Sequence, residues 1–332
     1  MTRLSRREAL AGGLLLAGST VPVAARAMIL PNKIAAQEVL PLWPAGAPGG
    51  ERVTVTEEVV ERPHPQGLRD RIARGVRVPT LTAFLPSGRA RAGVLVIPGG
   101  GYKHVVLDKE GYETATLLAS QGFATFVLRY RLPGDGWAAG PDAPLQDAQR
   151  ALRMVRSHCD RNGIGRDRTA VLGFSAGGHL AARLATRFAE TTYEPRDALD
   201  ATSARPAATA LLYPVITLTG EGVHAGSRDL LLGPAPTTAA LEQWSAQHGV
   251  TGATSPTFLV HAADDISVPL RNSQLMFDAL RAAAVPVDLH VFARGGHGFG
   301  LRAIEGLPVA AWPTLLADWL SRQPGFDPGP RA

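Results

Sequence analysis

Cysteine is almost absent from this chain of 332 residues, and the single one, Cys159, excludes an internal disulfide framework or a thiolate metal cluster. Charge is also scarce, at 19% Asp, Glu, Lys and Arg, and no basic run lies along the chain to suit a nucleic acid. The net charge is +5, of which Arg3, Arg6, Arg7 and Arg26, set against Glu8, supply +3, leaving +2 for everything after residue 27. No repeat and no low-complexity block interrupts the sequence. What is present is a 45% share of hydrophobic residues, enough to bury a real core and incompatible with intrinsic disorder. Gly 36 and Pro 26 occur without a period, which excludes a collagen-like repeat.

Residues 1–27 read as an export signal. Ser5-Arg6-Arg7-Glu8 is followed by 17 uncharged residues, Ala9 to Ala25, and Ala25-Arg26-Ala27 supplies a small-x-small cleavage site. That stretch is too short and too mildly apolar for a comfortable membrane span, which takes about 20 residues. The arginine pair resembles a twin-arginine (Tat) address, so the expectation is a periplasmic or secreted protein with no stable membrane anchor. Residues 28–50, rich in Pro and Gly, read as an extended arm, 51–322 as one catalytic domain, and 323–332 as a flexible tail.

Within that domain, apolar runs of strand length alternate with helical patterns. Val53–Val60 and Val76–Leu85 look like antiparallel strands. Gly93–Ile97, Phe123–Leu128, Thr169–Phe174, Ala208–Val215, Thr257–His261 and Val287–Phe292 are nearly continuous in apolar character, as strands covered on both faces should be. Helices are expected over Glu110–Ser120, Leu145–Asp160, Ala176–Phe188, Leu270–Ala284 and Pro308–Ser321. The alternation predicts an α/β fold with a mostly parallel central sheet and helices on both faces. Residues 217–253 break it and read as a small, part-helical excursion over the sheet edge.

Ligands of such sheets bind beyond the carboxyl ends of the strands, so motifs there carry the function. Gly173-Phe174-Ser175-Ala176-Gly177 follows a strand run and opens a helix, the setting in which G-x-S-x-G exposes a nucleophile on a sharp turn. Asp264-Asp265 lies just past another strand run, about 90 residues on. One carboxylate there would orient an imidazole, and the other would cap the helix after Pro269. His297, between Gly295-Gly296 and Gly298, follows the next strand run, giving the order Ser, Asp, His of α/β-hydrolases. Pro98-Gly99-Gly100-Gly101-Tyr102 ends the Gly93–Ile97 run. Gly100 and Gly101 can turn backbone N–H groups toward a developing oxyanion, joined by Ala176 N–H at the helix start. No Lys-Ser/Thr follows them to bind phosphate. His179 reads as a packed helix residue, His261 and His290 lie inside strands, and His104, His158, His224 and His248 show no relation to the Ser and Asp. No histidine pair has metal-ligand spacing with a third ligand, so neither metal nor cofactor is expected.

From about Leu42 to Trp319 the chain resembles the α/β-hydrolase esterases of the acetyl xylan esterase-like group and related carbohydrate esterases. The resemblance rests on Leu42-Trp43-Pro44, Ala47-Pro48-Gly49, PGGGY at 98–102 followed by His104 and Glu110-Gly111, Leu128-Arg129-Tyr130-Arg131-Leu132, Asp147-Ala148-Gln149-Arg150-Ala151, GFSAGGH at 173–179 and the loop to Pro269. It implies an α/β-hydrolase fold with Ser175, Asp265 and His297 as catalytic residues, the acid being the aspartate three residues before Val268. It also maps the oxyanion glycines to Gly100 and Gly101. Lipase-like members carry His before the three glycines where this chain has Pro98, which favours the acetylesterase branch. The implied activity is removal of acetyl or similar short acyl groups from plant-derived carbohydrate, with an oligosaccharide or other small ester as the partner.

Alternatives are a feruloyl or broad-specificity carboxylesterase, and a serine peptidase of the prolyl-oligopeptidase type. About 305 residues beyond the leader leave no room for that peptidase's propeller domain. A non-catalytic binder on the same fold would be expected to have lost a triad member, and the polar 217–253 stretch does not suit a lipase lid. Tyr102 and Trp244, with Tyr130 and Trp137, are candidates for stacking on sugar rings, each also able to serve as packing.

Overall fold

The computed structural model describes residues 36–302 and 304–326; residues 1–27, where an export signal is expected, the start of the arm and the last six residues lie outside them. Strands and helices follow in the order β1 (Glu38–Pro41), β2 (Glu58–Glu61), β3 (Arg71–Arg74), β4 (Thr80–Phe84), β5 (Gly93–Ile97), β6 (Val105–Val106), α1 (Glu113–Ser120) and β7 (Ala124–Arg129). Next come α2 (Ala143–Arg161), β8 (Thr169–Phe174), α3 (Ser175–Thr186), β9 (Ala208–Leu212), α4 (Ala225–Leu232) and α5 (Thr238–Trp244). The chain continues through β10 (Thr257–Ala262), α6 (Arg271–Ala282), β11 (Val287–Phe292) and α7 (Trp312–Ser321).

Eight strands form one sheet in the order β1-β4-β7-β5-β8-β9-β10-β11. The pairs from β7 to β11 are parallel, and β4 joins antiparallel to both β7 and β1. The strands β4, β5, β8, β9 and β10 are buried at every position. Alternation explains why both faces must be covered. In β5, Leu95 and Ile97 belong to the core on one face of the sheet, together with Leu152 and Val155 of α2, Leu180 of α3 and Met276 of α6. Val94 and Val96, pointing the other way, belong to the core on the opposite face, together with Leu118 of α1 and Leu316 and Trp319 of α7. A parallel sheet clad this way gathers its strand carboxyl ends along one edge of the molecule, where the motifs lie.

Three expectations are corrected. The run Val53–Val60 is a strand over only its last part. Only Glu58–Glu61 is a strand, and it pairs with β3 in a separate three-stranded sheet completed by β6. Arg71–Arg74 is half charged and buries only Ile72 and Ala73, so it carries no continuous apolar signal. The arm is not merely extended: β1 pairs with β4 at the sheet edge, and Leu42 and Trp43 are buried. Trp43 Nε1–H donates to Asp147 Oδ1 (2.7 Å), and Asp147 in turn pairs with the fully buried Arg131 guanidinium. Finally, the 217–253 excursion holds α4 and α5 and runs over the strand carboxyl ends rather than the sheet edge. Ser227 lies against Gly101, and the Trp244 carbonyl accepts a hydrogen bond from His179.

Candidate active site

Ser175 is the first residue of α3, with φ 51°, a left-handed conformation that only a tightly constrained strand-to-helix turn imposes on serine. The turn is tight enough that a Cβ on Gly177 would lie 2.3 Å from the carbonyl oxygens of both Ile97 and Pro98. Such contacts are why the flanking positions are glycine. Ser175 Oγ lies 2.9 Å from His297 Nε2, and His297 Nδ1 lies 2.7 Å from Asp265 Oδ2. A carboxylate only accepts, so Nδ1 carries the ring proton and Nε2 is left to accept from the serine hydroxyl. The three residues thus meet in one line of hydrogen bonds, drawn from the ends of β8, β10 and β11.

Asp265 is held from both sides. Its Oδ1 accepts the N–H groups of Ser267 and Val268 (both 2.9 Å), and His261 Nε2 approaches Oδ2 at 3.4 Å. Burial opposes its charge, but the hydrogen bonds from His261, His297 and Val268 outweigh that and hold the carboxyl well below the usual carboxylate range. Asp264 does a different job: its Oδ1 accepts from Gly296 N (2.8 Å), which pins the turn that carries His297.

The Pro98–Tyr102 turn faces the serine. Gly100 has φ 127°, and a Cβ there would lie 2.1 Å from the His104 carbonyl oxygen. Among the described residues, no protein acceptor takes the N–H of Gly100 or Gly101, whereas Gly99 N–H donates to Glu110 Oε2 (2.7 Å). Ala176 N–H, at the second position of α3, belongs to the helix start whose donors have no intrahelical partner. These are the three donors expected at an oxyanion site.

Tyr102 and Trp244 are corrected as sugar-stacking faces. Both rings are turned inward, with 3% and 9% exposure. Tyr102 O–H donates to His179 Nδ1 (2.8 Å), and His179 Nε2–H donates to the Trp244 carbonyl (2.8 Å). Desolvation pushes the His179 pKa down to about 3, which keeps this ring neutral and its two roles fixed. Arg183 lies over the Trp244 ring at 3.9 Å, so that face too is occupied. Tyr130 and Trp137 are buried as well. A surface groove of about 590 Å³ between the arm and residues 53–57 does not include Ser175, Asp265 or His297 in its lining. Among the described residues, no three His, Cys, Asp or Glu side chains are grouped to hold a metal ion.

Several contributors escaped the sequence reading. Glu110, 3% exposed, accepts from Gly99 N–H and from Tyr213 O–H (3.1 Å), and the Tyr213 hydroxyl accepts from Gly300 N (3.1 Å). The glycine turn and the histidine loop are therefore tied together through one buried carboxylate. Tyr213 also packs edge-on against His297, with centroids 5.1 Å apart. The Glu110-Gly111 pair after PGGGY was the available signal for this link. His261, the fourth residue before Asp265, gave only a strand signal.

Fold and site together define an α/β-hydrolase: a mostly parallel sheet with a serine, a histidine and an aspartate hydrogen-bonded across its strand ends. Residues 83–280 match the BD-FAE family, and the chain belongs to it. It is 36% identical over 222 residues to endo-1,4-beta-xylanase B of Butyrivibrio fibrisolvens, covering 67% of this chain and 34% of that protein. To the acetylxylan esterase of Xylanibacter ruminicola it is 34% identical over 225 residues, covering 66% of this chain and 43% of that one. The chain thus spans less than half the length of these two relatives. Among solved structures, the acetyl ester-xyloside bifunctional hydrolase from Caldicellulosiruptor lactoaceticus superposes with a TM-score of 0.69 at 35% identity, covering 86% of this chain and 95% of that one.

Proposed function

We propose that the protein is a serine carboxylic-ester hydrolase that removes acetyl and other short acyl groups from xylan-derived or related carbohydrate. The observation that carries this reading is the unbroken hydrogen-bond line from Ser175 Oγ through His297 to Asp265, facing two glycine N–H groups that have no acceptor among the described residues. Ser175 Oγ attacks the ester carbonyl carbon while His297 Nε2 takes the hydroxyl proton. The carbonyl oxygen gains the negative charge, and Gly100, Gly101 and Ala176 N–H groups stabilise it without reorganising. The tetrahedral intermediate expels the sugar oxygen, to which His297 returns the proton, leaving Ser175 acylated. Water activated by His297 then attacks the acyl carbon, and acetate departs with Ser175 reprotonated. Asp265 stays ionised throughout and balances the transient imidazolium.

Acetyl as the acyl group is supported by the names of the related acetylxylan esterase and acetyl ester-xyloside hydrolase. A second reading, a carboxylesterase of broad specificity, is favoured by 26% identity to the carboxylesterase structure from Lactobacillus plantarum, whose superposition has a TM-score of 0.60. A panel of p-nitrophenyl esters from acetate to decanoate, beside acetylated xylan and a feruloyl ester, separates the two. An apolar acyl groove would gain about 0.8 kcal/mol per buried methylene and make kcat/KM climb with chain length. A short acyl pocket makes it fall beyond about four carbons by steric exclusion. Ser175→Ala should abolish turnover on every ester while leaving the fold intact. A rate peaking at octanoate, or no acetate released from acetylated xylan, removes the acetylesterase reading.

A further inference from the structure

The segment that leads into α4 crosses the site between two anchors. On one side, Asn272 Nδ2, at the start of α6 beyond the acid loop, donates to the Gly222 carbonyl (2.7 Å). On the other, Ser227 in the first turn of α4 is fully buried, and its Oγ is what a Cβ on Gly101 would meet first, at 3.8 Å. His224 lies between these anchors, so the backbone carries it from the Asp265 side of the site to the oxyanion turn. Its ring orientation is set locally. Nδ1 accepts the Ser227 N–H (3.1 Å) and faces the Ser227 hydroxyl (2.8 Å), taking the place of an N-cap acceptor on α4. With Nδ1 accepting a backbone N–H, the proton of the neutral ring sits on Nε2. Among the described residues, Nε2 has no partner, and the side chain is only half-buried. Burial lowers the pKa of His224, the charge of His297 lowers it further and Asp265 raises it, which marks the ring as lying within the field of both.

We propose that His224 Nε2–H is a hydrogen-bond donor to the alcohol half of the substrate and selects esters of polyhydroxylated alcohols, that is, sugar acetates. This rests on the ester-hydrolase reading above. The assignment to the alcohol half follows from counting acceptors. An acetyl methyl accepts nothing, and the ester carbonyl oxygen is already served by Gly100, Gly101 and Ala176. The acceptors that remain are hydroxyl and ring oxygens on the alcohol side, and a donor held beside the oxyanion turn is placed to meet one of them. A planar aryl alcohol such as p-nitrophenol offers no hydroxyl there.

The test compares kcat/KM on an acetylated methyl xyloside with kcat/KM on p-nitrophenyl acetate, in wild type and His224→Asn. Asparagine keeps a side-chain acceptor for Ser227 N–H, so α4 stays capped, but its amide is too short to reach where Nε2 reaches. The ratio of sugar ester to aryl ester should fall about three- to tenfold, the loss expected for one neutral hydrogen bond. His224→Phe keeps the ring volume without either nitrogen and should lower the ratio equally. An unchanged ratio, whether both rates hold or both fall together, overturns the proposal and leaves His224 as a helix cap. A wild-type enzyme inactive on both esters overturns the ester-hydrolase reading itself, a result distinct from an active enzyme with an unmoved ratio.

Discussion

Replacing Asp265 with asparagine tests the acid most sharply, because the two ends of its carboxylate are engaged so differently. Oδ1 accepts two backbone N–H groups, from Ser267 and Val268, while Oδ2 accepts from His297 Nδ1. An asparagine has one acceptor end and one donor end. If its NH₂ faced the two backbone N–H groups, both would lose an acceptor, at about 1–3 kcal/mol for each buried group left unpaired. The amide oxygen therefore stays with Ser267 and Val268, and the NH₂ points at His297. Nδ1 must then accept, the ring proton moves to Nε2, and Ser175 loses its base. The same change in the serine-protease triad lowers kcat about 10⁴-fold, which corresponds to about 5 kcal/mol of barrier. A loss of that order is expected in initial rates on p-nitrophenyl acetate, with thermal unfolding little changed because the two backbone bonds survive. Asp264→Asn keeps an acceptor for Gly296 N–H and should stay within about threefold of wild type. If Asp264→Asn proved the more damaging, or Asp265→Asn kept more than about a tenth of the rate, the assignment of the acid would be wrong.

Glu110→Ala should cut kcat more than about tenfold and lower Tm by several degrees, since Gly99 N–H and Tyr213 O–H both lose their buried acceptor; Glu110→Gln, which still accepts from Gly99, should recover most of the Tm. Near-wild-type kcat in Glu110→Ala would show that the glycine turn and the histidine loop hold their positions independently. Burial raises the Asp135 pKa to about 6, and its Oδ2 has no partner among the described residues, so its ionisation is harder in the folded state than in the unfolded chain. Stability should therefore fall as pH rises from about 4 to about 6 and stay level above, so Asp135→Asn should raise Tm by about 2 °C at pH 7 and by nothing at pH 4; a gain that is equal at both pH values would refute this. Export is tested by Arg6→Lys combined with Arg7→Lys, which should trap the protein in the cytoplasm; a mature form outside the inner membrane despite both changes would refute the twin-arginine route.

How much of this was legible in the sequence depended on whether a residue's role is set by its neighbours in the chain or by distant ones. The runs Gly93–Ile97, Thr169–Phe174 and Thr257–His261 could be read because a strand covered on both faces must be apolar throughout. They became β5, β8 and β10 with ends within a residue. Ser175 could be read because strand, glycine, serine, glycine and helix are consecutive. The β2-β3-β6 sheet could not, since its middle strand, Arg-Ile-Ala-Arg, buries two residues and draws its partners from chain segments on either side. Nor could the fates of the polar residues. Glu110 acquires its role from Gly99 and from Tyr213, the latter 103 residues away in the chain, a contact that no local pattern announces.

The aromatic residues show the same limit in a way that bears on specificity. Tyr102 and Trp244 have the chemistry to stack on a sugar, but stacking requires an exposed face, and exposure is decided by the fold. Here Tyr102, His179 and the Trp244 carbonyl form a buried chain joining the oxyanion turn, α3 and the end of α5. Arg183 covers the face of the Trp244 ring. These rings therefore brace the wall beside Ser175 and leave little aromatic surface for a substrate. On the proposed reading, a sugar ester would be recognised through directed hydrogen bonds instead. A site that pairs with a hydroxyl also discriminates more strongly against esters lacking it than an apolar surface can, because the unmatched polar group is left unpaired. The half-buried Nε2–H of His224, aimed by its own helix cap, is a donor of that kind.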